Sequence, residues 1–251
     1  MPEAASLERP TNRDEAWRYA DAGYLAEAEL AALADWQELH VVAGETREDT
    51  RIVSPGVERL RVHVGKGARF AMFALNAAGP YARLEVEVAL EDGAHFEFGG
   101  VTVGGGDTTQ EFVTRTVHAE PNGTSNQTVR AVHWGKSSGN FLGRIEVVKD
   151  AQKTDAAQNF RALLLEKGAT ANTKPELEIF ADDVQCAHGA AIGQMDEMAR
   201  YYMAARGIPP EAARKLLVQA FIGDAFVEMS DPEAAESMLE AALSHLNEAA
   251  I

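Results

Sequence analysis

The chain has 251 residues, 46% hydrophobic and 25% charged, enough for one large domain or a core with smaller appendages. Its 39 acidic and 23 basic side chains leave a net charge of −16, which excludes the clustered Lys and Arg that nucleic acid or an anionic lipid surface requires. The single cysteine, Cys186, excludes an internal disulfide and any four-cysteine zinc or iron–sulfur site built by this chain alone.

No apolar run approaches the ~20 residues of a membrane helix. The first ten residues carry no charged-then-apolar leader pattern, so a cytoplasmic, thiol-permissive setting is expected. The charge is uneven along the chain. Residues 1–50 hold 4 basic and 12 acidic side chains, residues 51–192 hold 15 and 17, and residues 193–251 hold 4 and 10. The acidity therefore sits at the two ends, around a nearly balanced middle.

The first segment is Ala-, Glu- and Leu-rich, which predicts helices over 13–21 and 24–39, broken at Ala22-Gly23. In the second, Leu25, Ala28, Ala32, Leu33, Trp36 and Leu39 recur at helical spacing. The middle segment changes period. Leu60-Arg61-Val62-His63-Val64 and Leu84-Glu85-Val86-Glu87-Val88 alternate apolar and polar residues, as half-buried strands do. Gly67-Ala68 and Gly93-Ala94 then interrupt the apolar pattern as bends. Further strands are expected at 143–148, 163–169 and 175–180. A strand–bend–strand unit thus recurs at roughly 20–25 residues, the range of solenoid repeats. Either a β-solenoid or a sandwich fits. The scarcity of Asn-Gly hairpin turns, with Asn122-Gly123 the exception, weighs against a simple meander.

The last segment returns to helix. One helix is expected over 196–205, with Gly207 as its C-terminal stop. Pro209-Pro210 opens the next, whose apolar stripe comprises Ala213, Leu216, Leu217, Ala220, Phe221 and Phe226. Asp231 caps a third, lined by Leu239, Leu243 and Leu246. Domain limits of 1–39, 40–192 and 193–251 follow.

Familiar catalytic motifs are absent from the sequence. Gly135-Lys136-Ser137 ends like a phosphate-binding loop, but Arg130 stands where that loop needs glycine. Gly104-Gly105-Gly106 opens no helix. The histidines His40, His63, His95, His118, His133 and His245 show no ligand spacing, and read as strand-face or loop residues. Cys186 and His188 differ from these. Two residues apart in an extended stretch, they project from one face, and a thiolate beside an imidazole suits iron, zinc or copper. The plain alternative is a buried cysteine acting as a small hydrophobe next to a surface histidine.

The stretch Lys174-Pro175-Glu176-Leu177-Glu178-Ile179-Phe180-Ala181-Asp182-Asp183-Val184-Gln185-Cys186-Ala187-His188-Gly189-Ala190 closely resembles the signature of the SufB/SufD family of iron–sulfur cluster assembly proteins. So do Gly193-Gln194-Met195-Asp196-Glu197, Tyr201-Tyr202-Met203-Ala204-Ala205-Arg206-Gly207-Ile208 and the helix over 211–229. Trp17-Arg18-Tyr19 is similar to an element at SufD N-termini, and a single cysteine is closer to SufD than to SufB. The chain departs from the pattern at Ala191, where threonine is usual. Its shortness implies fewer β-helix coils.

The resemblance implies a mainly β fold, a right-handed parallel β-helix core flanked by N- and C-terminal α-helical regions. It implies a non-catalytic subunit that pairs with a SufB-like subunit and docks a SufC-like ATPase in a SufBCD complex, serving iron acquisition and cluster assembly. The metal residues it implies are His188 and Cys186, at the partner interface, for a transient Fe–S cluster or iron. None is held tightly by the isolated chain, and a reduced flavin belongs to the complex if it binds at all. Arg206, Gly207, Ile208, Leu216, Leu217 and Phe221 fall in the region that docks the ATPase. Isolated, the chain is expected to form a homodimer, with no nucleic-acid or membrane partner. Two alternatives stand beside this reading. One is a SufB-type scaffold that holds the cluster itself. The other is a stand-alone β-solenoid module with Glu85, Glu87, His95 and Glu97 as its first suspects.

Overall fold

Period-2 alternation over most of the chain folds into twelve strands, seen in a computed structural model that describes residues 8–246. Residues 1–7, part of the stretch read for a leader, lie outside the described residues. The strands are β1 (Gln37–Val41), β2 (Thr46–Ile52), β3 (Gly56–Val64), β4 (Arg69–Asn76), β5 (Tyr81–Leu90) and β6 (His95–Gly104). They continue as β7 (Thr109–His118), β8 (Thr124–His133), β9 (Ser138–Val147), β10 (Asp155–Leu164), β11 (Thr170–Ile179) and β12 (Gln185–Gly193). Odd-numbered strands form one six-stranded sheet, even-numbered strands the other. Every neighbouring pair is parallel. The chain is a parallel β-solenoid with two strands per coil, rather than a sandwich of hairpins.

The coils lengthen along the chain. The register step is 23 residues between Gln37 and Leu60 and 32 between Ser138 and Thr170, so the expected spacing of 20–25 holds only at the start. Turns stack as the strands do. Gly67, Gly93, Asn122 and Lys153 all take positive φ at one corner, and each donates its backbone N–H to the next coil. Asn122-Gly123 is therefore a solenoid corner and not a hairpin. Gly135-Lys136-Ser137 is another corner, with Ser137 buried and its hydroxyl donating to the Gly104 carbonyl at 2.7 Å.

Inside the first coils the core is aliphatic and aromatic. Phe70 stacks on Phe96 with ring centroids 5.9 Å apart, and Leu60, Val62, Leu84, Val86 and Phe98 complete the packing. Each such side chain contributes about 1.5–3 kcal/mol by leaving water. From β7 onward polar side chains join Phe112, Val129, Phe141 and Phe160 in the interior. Thr114 donates to Gln127 Oε1 at 2.6 Å, and Gln127 Nε2 donates to Thr116 at 3.2 Å. His118 pairs with Ser125 at 2.9 Å, and His133 lies between Thr102 and Ser137 at 3.0 and 3.1 Å.

Both outer faces are covered over part of their length. N-terminally, a 3₁₀ turn (Glu15–Trp17) and the short helices α1 (Ala22–Glu27) and α2 (Leu30–Ala34) lie on the odd sheet. The expected helix over 24–39 ends early, because Leu39 and Val41 pair beside Val62 and Val64 and close the first coil. Beneath Trp17 lies a buried charge cluster. Arg83 sits 4.0 Å from the Trp17 ring centroid and is flanked by Glu85 and Glu111 at 3.1 and 3.5 Å. Burial works to lower the Arg83 pKa, but the two carboxylates outweigh it and leave it raised. The guanidinium stays charged.

The even sheet carries the C-terminal helices α4 (Pro210–Gly223) and α5 (Pro232–Ser244), joined through a 3₁₀ turn at Asp224–Phe226. Val218, Ile222, Phe226, Met238 and Ala242 pack there against Phe73, Leu75, Val101 and Val132. The buried stripe of α4 is thus Ala213, Val218 and Ile222, turned away from the expected Leu216 and Ala220. Gly99 makes the close approach possible, since a Cβ there would stand 2.0 Å from the Ala225 carbonyl oxygen. A preceding helix, α3 (Glu197–Ala205), is capped by Asp196 and buries no side chain. Among the described residues no helix is long and apolar enough to cross a membrane.

Two outcomes are expected. Gly99→Ala should lower stability by about 1–3 kcal/mol in denaturant unfolding, by prising the helices from the sheet. Burial lowers the pKa of His118 to about 4 and of His133 to about 3, so both stay neutral in the fold while the unfolded chain protonates them near pH 6.5. Stability should be flat above that pH and fall below it, by about 1.4 kcal/mol per pH unit for each histidine down to its folded pKa. His118→Asn and His133→Asn should flatten the slope, read from unfolding midpoints between pH 4 and 7.

Candidate functional site at the open end of the solenoid

A parallel coil satisfies its backbone only through its neighbours, so the two end coils decide what the molecule presents. They differ sharply. In the first coil, Arg47, Asp49 and Arg51 stand in register with the inward-facing Phe70, Met72 and Ala74. Arg47 pairs with Asp49 at 3.0 Å and Arg51 with Glu58 at 3.0 Å, so this end is sealed by ion pairs. The last coil has no such seal. Its inward positions are Thr173, Pro175, Leu177 and Ile179 on β11, and Cys186, His188, Ala190 and Ile192 on β12. Ile179 is 39%, Phe180 63% and Ile192 46% exposed.

Cys186 and His188 belong to this open end. Cys186 registers with Ala156 and His188 with Gln158, both buried, so both site residues project inward from β12. The thiol is half-buried and packs against the cluster of Ile145, Val147, Ala151 and Ala156. Burial, followed by the charge of Asp155, raises its pKa, so it rests as a thiol. The imidazole is exposed at the rim. The sequence pairing of these two residues is thus preserved as one face. Among the described residues no three His, Cys, Asp or Glu side chains converge to hold a metal ion.

The docking candidates split. Arg206 ends α3 and lies 4.7 Å from the Tyr202 ring centroid, Gly207 takes φ 79° as the helix stop, and Ile208 follows half-buried. Leu216 is exposed on α4, and so are the apolar Met198, Tyr201 and Tyr202 on α3. Leu217 is half-buried, and Phe221 packs inward under Arg130 at 5.9 Å, where Arg130 also pairs with Asp224. Phe221 therefore serves the internal helix–sheet contact.

The residues of the stand-alone alternative do not meet. Glu85 and Glu87 lie on the outer face of the odd sheet, tied to Arg59 and Arg61 at 3.1 and 3.0 Å. His95 and Glu97 lie on the even sheet, where Asn126 donates to Glu97 at 2.8 Å and His95 pairs with Thr124 at 2.7 Å. The solenoid stands between the two pairs.

Two features of the site escape a reading by motif. One is the contrast between a salt-bridged and an apolar end, which appears only when the register is known. The other is Gln158, inward-facing beside His188 and 2% exposed.

Comparison with known proteins places these observations. The family model described as "SUF system FeS cluster assembly, SufBD core domain" matches residues 46–221, from the start of β2 into α4. An iron–sulfur cluster assembly SufBD family protein of Synechocystis is 32% identical over 161 residues, 64% of this chain and 36% of that protein. SufD of Escherichia coli is 42% identical over 84 residues, 34% of this chain and 20% of the relative. SufD of Bacillus subtilis is 31% identical over 138 residues, covering 55% and 32%. The matched region thus spans only about a fifth to a third of these curated relatives' own length. With the core-domain match covering most of the solenoid and the first helices after it, the chain belongs to the SufBD family of iron–sulfur cluster assembly proteins.

Proposed function

We propose that the chain is a SufD-type, non-catalytic subunit that completes a transient iron–sulfur site with a second solenoid chain. The observation that carries this reading is the open last coil: two unpaired strand edges, an exposed apolar lining and the Cys186–His188 pair on one rim. A SufB-like subunit is the partner, continuing the sheets at β11 and β12 and supplying the thiolates that one cysteine cannot. Without that partner, the same rim closes on a second copy and gives a homodimer.

His188 serves as the imidazole donor to the nascent cluster, offering a ring-nitrogen lone pair. Cys186, held protonated by burial, contributes second, once a metal draws off its proton. The chain itself turns nothing over. A SufC-like ATPase docks on the exposed face of α3 and α4, through Met198, Tyr201, Tyr202 and Leu216, and its hydrolysis cycle moves the helices relative to the rim. Any reduced flavin enters through the complex.

Co-expressed with its partners, His188→Ala should leave the complex assembled and reduce its iron and acid-labile sulfide at least about tenfold. Normal iron and sulfide in that complex would contradict the assignment. Cys186→Ala should give a smaller loss in the same assay. Ile192→Asp places a carboxylate in the docking face, and should weaken association with the partner by about 2 kcal/mol, roughly 30-fold, in sedimentation or calorimetry. Unchanged affinity would place the interface elsewhere.

A further inference from the structure

The even sheet stacks Gln127, Gln158 and His188 in one inward-facing column, each in register with the next. Both ends of the Gln127 amide are paired, its oxygen accepting from Thr114 and its nitrogen donating to Thr116. Gln158 is only half used. Its Nε2 donates to the Gly143 carbonyl at 3.2 Å and approaches the Glu176 carbonyl at 3.5 Å, while its buried Oε1 has no hydrogen-bond partner. Gly143 is what makes room for it, because a Cβ there would lie 2.2 Å from that oxygen. The amide reaches the level of the last coil, since Glu176 lies on β11, the final strand of the odd sheet.

A buried carbonyl oxygen without a donor costs about 1–3 kcal/mol, and the next group in its column is an imidazole. We propose that Gln158 is the positioning residue for His188: its Oε1, unpaired in this structure, accepts the N–H of one ring nitrogen when the imidazole turns inward from the rim, and directs the lone pair of the other toward the open end. The inference rests on the reading of His188 as a cluster ligand. Its physical basis is general. An imidazole can donate to an amide oxygen only through its N–H, so that oxygen selects one tautomer and one ring orientation, and metal-binding histidines are held in this way by a partner behind them. An exposed imidazole on an end strand has no other constraint of this kind from its own column. Gln158 thus prepares the ligand before the partner chain arrives.

The test uses the full-length, metal-free chain with ¹⁵N-labelled histidine, reading the ring nitrogens of His188 by NMR at pH 8, with His188→Ala identifying the signals. One neutral tautomer should dominate the wild type by about tenfold. Gln158→Met should return the ring to the mixture of free imidazole, and Gln158→Glu, which keeps an acceptor, should hold the wild-type tautomer. In the co-expressed complex, Gln158→Met should lower iron and sulfide content about tenfold. An unchanged tautomer ratio in Gln158→Met, with cluster lost in His188→Ala, overturns the positioning role alone. A shifted ratio with normal cluster content in His188→Ala overturns the ligand role of His188, and with it the purpose of the hydrogen bond. Should Gln158→Met fail to fold, the wild type decides, since a free-imidazole mixture there also overturns the proposal.

Discussion

Each coil of this molecule is held by the coil beside it, and that dependence leaves the two end coils as the only ones with a face to spare. Backbone donors and acceptors in a parallel sheet are paired strand to strand, and inward side chains bury themselves on the layer below. The first coil resolves its spare face with the Arg47–Asp49 and Arg51–Glu58 ion pairs. The last coil leaves Ile179, Ile192, Cys186 and His188 at an open rim. Sealing charges at one end, and an apolar surface with a thiol and an imidazole at the other, give the solenoid a direction. Charges on an end coil oppose growth by an uncontrolled stack there.

The outer faces follow a different logic. On the odd sheet, Arg83 is buried between Glu85 and Glu111 under Trp17, and the carboxylates keep it charged. Removing one partner from such a group leaves an uncompensated charge, so the N-terminal segment is bound in place by what it covers. Asn140, which donates to the Tyr19 carbonyl at 3.3 Å, and the Lys174–Glu15 pair extend that strap toward β11. The even sheet instead binds its helices by apolar packing, with Gly99 and the Arg130–Asp224 pair fixing where the turn after α4 lands. The strap and the helices leave the last coil's inner rim free.

Local signals in the sequence carried over closely. Asp196 and Asp231 cap their helices and Gly207 stops one, because caps depend on neighbours a few residues away. The Gly67-Ala68 and Gly93-Ala94 bends also mark true corners, with both alanines buried. What was not legible depends on contacts between coils. A strand at 37–41 hides inside a helical pattern, because Leu39 and Val41 suit a helix face as well as a coil interior. The polar interior around Gln127, His118 and Gln158 gave no signal either. A strand packed on both faces has no consistently polar side, so alternation cannot say which threonine or glutamine points inward. For the site, the Cys186–His188 spacing was readable on its own. The residue behind His188 lies 30 positions away and needed the register.

The central claim is that the last coil is the docking face. Hydrogen–deuterium exchange of the full chain, alone and in complex with its co-expressed partners, tests it most directly. The account predicts that amides of Thr170–Ile179 and Gln185–Gly193 gain protection on assembly, while those of Gln37–Val41 and Thr46–Ile52 at the charge-sealed end do not. Protection that appears at the sealed end and leaves β11 and β12 unchanged would contradict it.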